Sequence, residues 1–338
     1  MTTLRISPTD MLDTLTKLFV DRGYQQSEAA KLSEVFTENS CCGVQSHGIN
    51  RVPLFIEFLD KDLVDIKSKA SCVEAFGGIE RWDGKQGAGI LNALAATNRA
   101  IVLAKQHAMG MVALRNTNHW MRGGYYAWRA AQQGCIAIMF TNTKPNMPAW
   151  GGKELRIGNN PFVISIPNGD SPILLDMAMS QFSFGKMESY AQNNEQLPVE
   201  GGWDKTGALS KHPQDILETQ QSLPIGYWKG SALAMVLDML ATLLCAGQST
   251  YRLGQAPEET GVSQVFICID QSQVANSDLH TQLLNEIISF TQSATEIEEG
   301  KRPRYPGEQS FACKKDSLKN GIPVDSEVWN TVLHLKKQ

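Results

Sequence analysis

The chain has 338 residues, of which 42% are apolar and 20% charged, the composition of a globular protein long enough for about two domains of ordinary size. Thirty-one Lys and Arg against 35 Asp and Glu leave a formal charge of −4, with the two signs mixed and no basic block. That argues against a nucleic-acid partner and against a polybasic membrane contact, both of which need clustered positive charge. Met1 to Leu12 lacks the positive stretch and apolar core of a signal peptide. The longest apolar run, Ser231 to Ala246, is interrupted by Asp238 and is short for a bilayer span. Seven cysteines, an odd number with no CxxC pair, read as reduced thiols in a cytoplasmic protein.

In chain order, Ser7 or Thr9 caps a helix carrying Met11, Leu12, Leu15, Leu18 and Phe19, closed at Gly23. Ser27 caps a second, with Ala29, Leu32, Val35 and Phe36 on one face, which stops near Cys42-Gly43. Val52 to Leu59 is a third. Leu91 to His107 is an amphipathic helix closed at Gly110, and Met111 to Leu114 is a buried strand. After the polar stretch Asn116 to Gly124 come a helix over Tyr125 to Gln133 and a strand over Cys135 to Phe140. Val163–Pro167 and Ile173–Met177, separated by Asn168-Gly169-Asp170-Ser171, form a hairpin. Gln192 to His212 reads as a long surface loop, Ser231 to Cys245 as a buried helix, Val265 to Asp270 as a strand and Leu279 to Ser293 as a helix. The fold class is therefore α/β (mixed α+β), a mixed sheet with flanking helices plus a smaller helical domain. The division drawn is 1–75 with 290–338 for the helical part and 76–289 for the sheet.

No GxGxxG, P-loop, HExxH, GxSxG or zinc-finger spacing occurs, so dinucleotide binding of the Rossmann kind is excluded and no metal is expected. The polar loops carry the chemistry that remains. In Gln45 to Arg51, His47 precedes a glycine and Arg51 follows four residues on, so a helix begun at Gly48 puts His47 at its N-terminus and Arg51 one turn inside. An imidazole can move a proton near neutral pH and a guanidinium can clamp a carboxylate; a plain cap with an exposed arginine is the alternative. Asn116 to Gly124 crowds two amides, His119, Trp120 and Arg122 at a strand end, where function often sits, although a satisfied buried histidine would also fit. Thr141 to Gly152 has two prolines that fix φ and glycines that permit close approach of another group, or else is a rigid structural loop. Asp176, in the apolar run Leu174 to Ala178, needs a partner, either a ribose diol or a helix N-terminus. Lys229 opens the buried helix and favours an anion there, or else is a surface lysine.

Taken in order, Ser46-His47-Gly48 with Arg51, Asn118-His119-Trp120, Thr141-Asn142 with Met147-Pro148 and Gly151-Gly152, Arg156 to Pro161, Asp176-Met177-Ala178 and Gly226 to Ser231 resemble the malate/L-lactate dehydrogenase family, whose nicotinamide-binding fold is not of the Rossmann type. Within it, Asn118 to Gly124, Gln196 to Val199 and Leu223 to Ser231 are most similar to members that reduce a 2,3-diketo sugar acid. Tyr125, Lys144-Pro145-Asn146 and Gly307-Glu308-Gln309 depart from that pattern. The resemblance implies a cytoplasmic homodimer with the active site at the subunit interface and a 2-oxo acid as substrate. It implies His47 as proton donor, His119 as a second catalytic histidine, Arg51 as carboxylate clamp, and Ser46 and Asn118 in substrate binding. It implies cofactor contacts at Thr143, at Ile173, Leu174, Leu175, Asp176, Met177 and Ala178, at Trp228 and Lys229, and at Gly307, Glu308 and Gln309. A carboxylate at Asp176 facing the adenosine ribose would favour NAD (NADH) over NADP. The competing classes are a metal-dependent lyase or hydrolase using His47, His119 and Asp176, and an inactive binding protein that keeps the fold.

Overall fold

The computed structural model describes residues 3–274 and 277–335. Strand β1 (Thr3–Ile6) leads into α1 (Pro8–Asp21), where the Ser7 hydroxyl accepts the Asp10 N–H at 3.0 Å and Pro8 presets the first turn. Helix α2 (Gln26–Cys41) starts one residue before Ser27, so the capping position falls to Gln25, which gives no side-chain bond, and Ser27 is spent inside the first turn. Helix α3 (Val52–Asp60) completes the helical layer. Phe19, Phe36 and Phe55 pack edge-to-face or tilted, 5.6–5.7 Å between ring centroids, at its centre.

Strands β2 (Ser71–Phe76) and β3 (Ile79–Asp83) form a hairpin, and α4 (Gly89–His107) crosses over to β4 (Met109–Thr117), which runs parallel to β3. Ala108 in the left-handed conformation, φ 66°, ends α4, and Gly110 lies inside β4 instead of closing the helix. Then come α5 (Gly123–Gln132), β5 (Cys135–Thr141), the short pair β6 (Met147–Pro148) and β7 (Leu155–Ile157), and the hairpin β8 (Phe162–Ile166) and β9 (Ile173–Met177), which pairs Val163 with Asp176. Helix α6 (Phe184–Gln192), strands β10 (Gly202–Trp203) and β11 (Leu209–Ser210) and helix α7 (Pro213–Thr219) occupy the stretch read as a loop. It is ordered because Met187, Leu197 and Ile216 bury a small core of their own, and because Asp204 accepts the N–H groups of Thr206 and Ala208 across the turn.

Helix α8 (Trp228–Cys245) follows, then α9 (Thr250–Leu253), β12 (Val262–Asp270), α10 (Gln271–Val274), α11 (Ser277–Gln292), α12 (Glu308–Asn320), β13 (Ile322–Asp325) and α13 (Ser326–Leu335). The sheet has the order β2-β3-β4-β12-β5-β8-β9, with β12 inserted between β4 and β5 and antiparallel to both. β1 pairs with β13, which ties the two ends of the described chain together. One face of the sheet shares a continuous core with the helical layer, from Met11 and Phe36 through Trp120 and Phe266 to Trp329.

Helix α8 covers the other face with Ala234, Leu237, Ala241 and Cys245. It is not buried all round, as the sequence suggested: Val236, Met239, Leu240 and Leu243 point outward, Leu243 at 73% exposure. By length and composition alone this helix could cross a membrane. Here Asp238 holds it to the loops, its Oδ1 accepting from Asn142 Nδ2 at 2.9 Å and from the Thr250 N–H at 2.9 Å.

Candidate active site

The stretch after α2 does not begin a helix at Gly48. It forms two 3₁₀ turns, Gln45–His47 and Ile49–Arg51, so His47 ends the first turn and Arg51 ends the second, just ahead of α3. The loop is pressed onto α2. Asn39 Nδ2 donates to the His47 carbonyl at 2.9 Å and the Ile49 N–H donates to Ser40 Oγ at 2.9 Å. A Cβ at position 48 would lie 2.3 Å from Ser40 Oγ and 2.9 Å from its backbone nitrogen, so only glycine lets the loop sit this close. Ser46 Oγ lies 3.0 Å from His47 Nδ1 and orients the ring.

The second imidazole comes from the end of β4. Asn118 donates through Nδ2 to the carbonyls of Leu63, Gln86 and Gly87 at 3.2, 2.8 and 3.1 Å, and its own carbonyl accepts from Gln264. Its amide nitrogen is thus spent on the scaffold that carries His119, while its Oδ1 is buried without a partner among the described residues. The Met121 N–H donates to His119 Nδ1 at 3.0 Å, so that nitrogen carries no proton and the neutral ring carries it on Nε2. The His47 and His119 rings lie 5.7 Å apart and nearly parallel, at 21°.

Both imidazoles are held neutral. Burial, reinforced by the Arg51 charge, lowers His47 to about 4, against a smaller opposing pull from Asp176. Burial and the same guanidinium push His119 well below its usual value. The Arg51 guanidinium makes no ion pair or hydrogen bond among the described residues, while its backbone N–H donates to the Gly48 carbonyl at 3.0 Å. Its own affinity for its proton is lowered by burial, and the Glu259 carboxylate partly offsets this. Burial raises Glu259 in turn, while the Lys144 N–H, donating to its Oε2 at 2.9 Å, works the other way.

Behind His47 lies an ion pair. Asp176 Oδ2 accepts from Arg122 Nε at 3.1 Å and from the Gly124 N–H at 3.0 Å. One of the two partners open to it in the sequence, the N-terminus of α5, meets Asp176 here, and the arginine that follows Met121 joins it. A Cβ on Gly124 would sit 2.5 Å from that oxygen. Thr143 is buried in a knot with Asn159 and Asn160, its N–H donating to Asn160 Oδ1 at 2.9 Å. The segments Ile173–Ala178 and Gly307–Gln309 do meet: the Leu174 N–H donates to the Pro306 carbonyl at 2.9 Å. The chain before Trp228 runs beside the end of the same strand, the Ile225 N–H donating to Met179 at 2.8 Å. Ile173, Leu175, Met177 and Ala178 are half-buried along this edge, and Glu308 and Gln309 open α12, bonded to Arg302 and Arg304.

A family model described as malate/L-lactate dehydrogenase matches residues 6–333. The chain belongs to the malate/L-lactate dehydrogenase family. These are oxidoreductases acting on CH–OH groups with a nicotinamide cofactor. A protein of Citrobacter koseri named 2,3-diketo-L-gulonate reductase is 40% identical over 328 residues, 96% of this chain and 98% of that protein. One of the same name from Escherichia coli K12 is 41% identical over 315 residues, 93% and 94% of the two chains. The crystal structure of malate dehydrogenase from Entamoeba histolytica superposes with a TM-score of 0.93 at 22% identity, covering 99% of this chain and 98% of that one, which shows the shared fold.

The residues present fit a family cofactor. Trp228 is 60% exposed, with Lys229 Nζ 6.0 Å from its ring at the start of α8, and Lys229 has no ion pair among the described residues. An open indole beside a free ammonium suits a ligand that carries both flat rings and phosphates. Arg122 and Glu259 were not singled out from the sequence as site residues. Arg122 lay within the crowded Asn116–Gly124 run, and its role depends on Asp176, 54 residues away. Nothing local marks Glu259, which reaches the site only because β12 is threaded between β4 and β5.

Proposed function

We propose that the protein reduces a 2-oxo acid with a hydroxylated tail, a 2,3-diketo sugar acid of the 2,3-diketo-L-gulonate type, to the 2-hydroxy acid at the expense of NADH. The names of the relatives at 40–41% identity support the substrate class. The observation that carries the reading is Arg51, a largely buried guanidinium with no ion pair among the described residues, acting on two neutral imidazoles. Such a site is incomplete until a carboxylate enters it.

The bound cofactor supplies a hydride to the carbonyl carbon. The chain does the rest. Arg51 takes the substrate carboxylate in a two-pronged grip and thereby cancels the charge that adds to burial in depressing His47, so the proton affinity of His47 rises as the substrate arrives. His47 then delivers its proton to the carbonyl oxygen as negative charge grows there. His119, with its proton fixed on Nε2 by the Met121 N–H, donates a hydrogen bond to the same oxygen. Ser46 keeps the His47 ring in place, and Asn118 acts by holding the His119 loop. Thr143 supports the far wall, and the strand edge Ile173–Ala178, Trp228-Lys229 and Gly307–Gln309 hold the cofactor.

The active form in this proposal is a homodimer in the cytoplasm. The outward row Val236, Met239, Leu240 and Leu243 on α8 is the surface a second copy would cover, and all seven cysteines are free. The test is loss of NADH absorbance with 2,3-diketo-L-gulonate, pyruvate, oxaloacetate and 2-oxo amides. Turnover with the diketo sugar acid and loss of it in His47→Ala support the reading. Equal turnover in a folded His47→Ala variant sinks it.

A further inference from the structure

A cavity of about 120 Å³ opens beside the active site, between α2, α5, β9 and α12. Arg122 lines it, and the Arg122–Asp176 pair acts electrostatically on His47; Leu174 and Ser310 on its wall adjoin the two segments that meet at Pro306. Its volume holds about four waters, the size of one flat ring system. One wall is aromatic: Trp128 and Phe311 stack at 6.0 Å and 26°, with Lys314 over the Trp128 ring. Trp128 Nε1–H and Arg129 Nε–H are buried with no acceptor among the described residues.

The charges around this cavity balance. Arg122 pairs with Asp176 at 3.1 Å, Arg129 with Glu34 at 3.5 Å and Lys314 with Glu38 at 2.5 Å. Tyr125 donates to Glu34 at 2.7 Å and fixes that carboxylate at the rim. A neutral ligand with a flat ring and hydroxyl groups meets stacking surface, unpaired N–H donors and carboxylate acceptors. A phosphomonoester, carrying about −1.5 to −2 charge at pH 7, meets three cations that are already neutralised.

We infer that this cavity receives the adenosine end of the nicotinamide cofactor, and that Glu34 and Glu38, bonding the ribose hydroxyls there, set the preference for a cofactor without a 2′-phosphate. The inference rests on the nicotinamide reading above and places the discrimination on α2. Removing both charges leaves Arg129 and Lys314 unpaired, and the site then has two free cations for a 2′-phosphate.

Binding alone tests it, with no oxo acid present. NADH and NADPH are titrated by nicotinamide fluorescence, and 5′-AMP and adenosine 2′,5′-bisphosphate by quenching of tryptophan fluorescence. Wild type should bind NADH at least 10-fold more tightly than NADPH. In Glu34→Gln/Glu38→Gln the ratio should fall at least 10-fold, with adenosine 2′,5′-bisphosphate gaining over 5′-AMP in step. Ser310→Tyr, which fills the cavity from the first turn of α12, should weaken NADH and 5′-AMP at least 10-fold while nicotinamide mononucleotide binds as before. The Arg129–Glu34 and Lys314–Glu38 pairs are partly exposed and their loss costs little stability; if the double variant melts low, either single variant should show part of the shift. An unchanged ratio in folded variants, or 5′-AMP binding unmoved by Ser310→Tyr, overturns the adenosine assignment and leaves the oxidoreductase reading standing. Failure of wild type to bind either dinucleotide overturns both.

Discussion

Arg51→Gln separates the two tasks assigned to this guanidinium. As a charge, Arg51 helps hold His47 at about 4, second to burial among the causes. The His47 proton affinity in the free variant should therefore rise when this charge is removed and stay below the ordinary 6.5, because burial remains. As a clamp, Arg51 makes a charge-assisted, two-pronged contact with the substrate carboxylate, so its loss should raise KM for the oxo acid by about 10- to 100-fold, from about 1.5–3 kcal/mol. Cofactor binding should be unmoved. His47 is followed by the NMR titration of its ring protons, in the free enzyme and with oxamate added. In wild type, oxamate should raise its proton affinity, since the anion neutralises Arg51; in Arg51→Gln it should not. A His47 that titrates near 6.5 in the free wild type, or that ignores oxamate, refutes substrate-driven proton loading.

Much of this site is legible in the sequence, and the illegible part has identifiable causes. His47, Arg51 and His119 stand in short polar loops between apolar elements, and such loops declare themselves by composition. Their convergence does not, because it depends on Gly48 and Ser40 pressing one loop onto α2 and on Asn118 tying the other to three distant carbonyls. Asp176 shows the limit well. A carboxylate in an apolar strand plainly needs a partner, but sequence cannot say whether the partner is protein or ligand. The sheet has the same asymmetry: the β8–β9 hairpin follows from its turn residues, whereas β1–β13 joins four-residue strands more than 300 residues apart, with no local signal. Glu34 and Glu38 lie on the polar side of an amphipathic helix, and only the cations that α5 and α12 bring to them, Arg129 and Lys314, set them apart from a solvated face.

Asp176→Asn should lower stability by about 2–4 kcal/mol, because it leaves the buried Arg122 without its counter-charge; an unchanged melting temperature would contradict the pairing. Gly124→Ala puts a methyl 2.5 Å from Asp176 Oδ2 and should destabilise by about 1–3 kcal/mol through the same pair. His47 is depressed in the folded state, so the unfolded chain binds more protons: the stability this provides is complete above about pH 6.5 and is lost as pH falls from 6.5 toward 4, by up to about 3 kcal/mol, with a flatter melting profile in His47→Gln. Glu259 bears on which oxo acids enter. Its carboxylate acts electrostatically on Arg51, and one of its oxygens is engaged by the Lys144 N–H. A substrate with a hydroxylated tail can donate to the other oxygen, while a second substrate carboxylate is repelled. Glu259→Gln keeps an oxygen for the Lys144 N–H and removes the charge. The ratio of kcat/KM for oxaloacetate to that for the diketo sugar acid should then rise about 10-fold, or about 1.4 kcal/mol. An unchanged ratio in a folded variant means that Glu259 serves only to brace Arg51, and that selection among oxo acids is made elsewhere in the site.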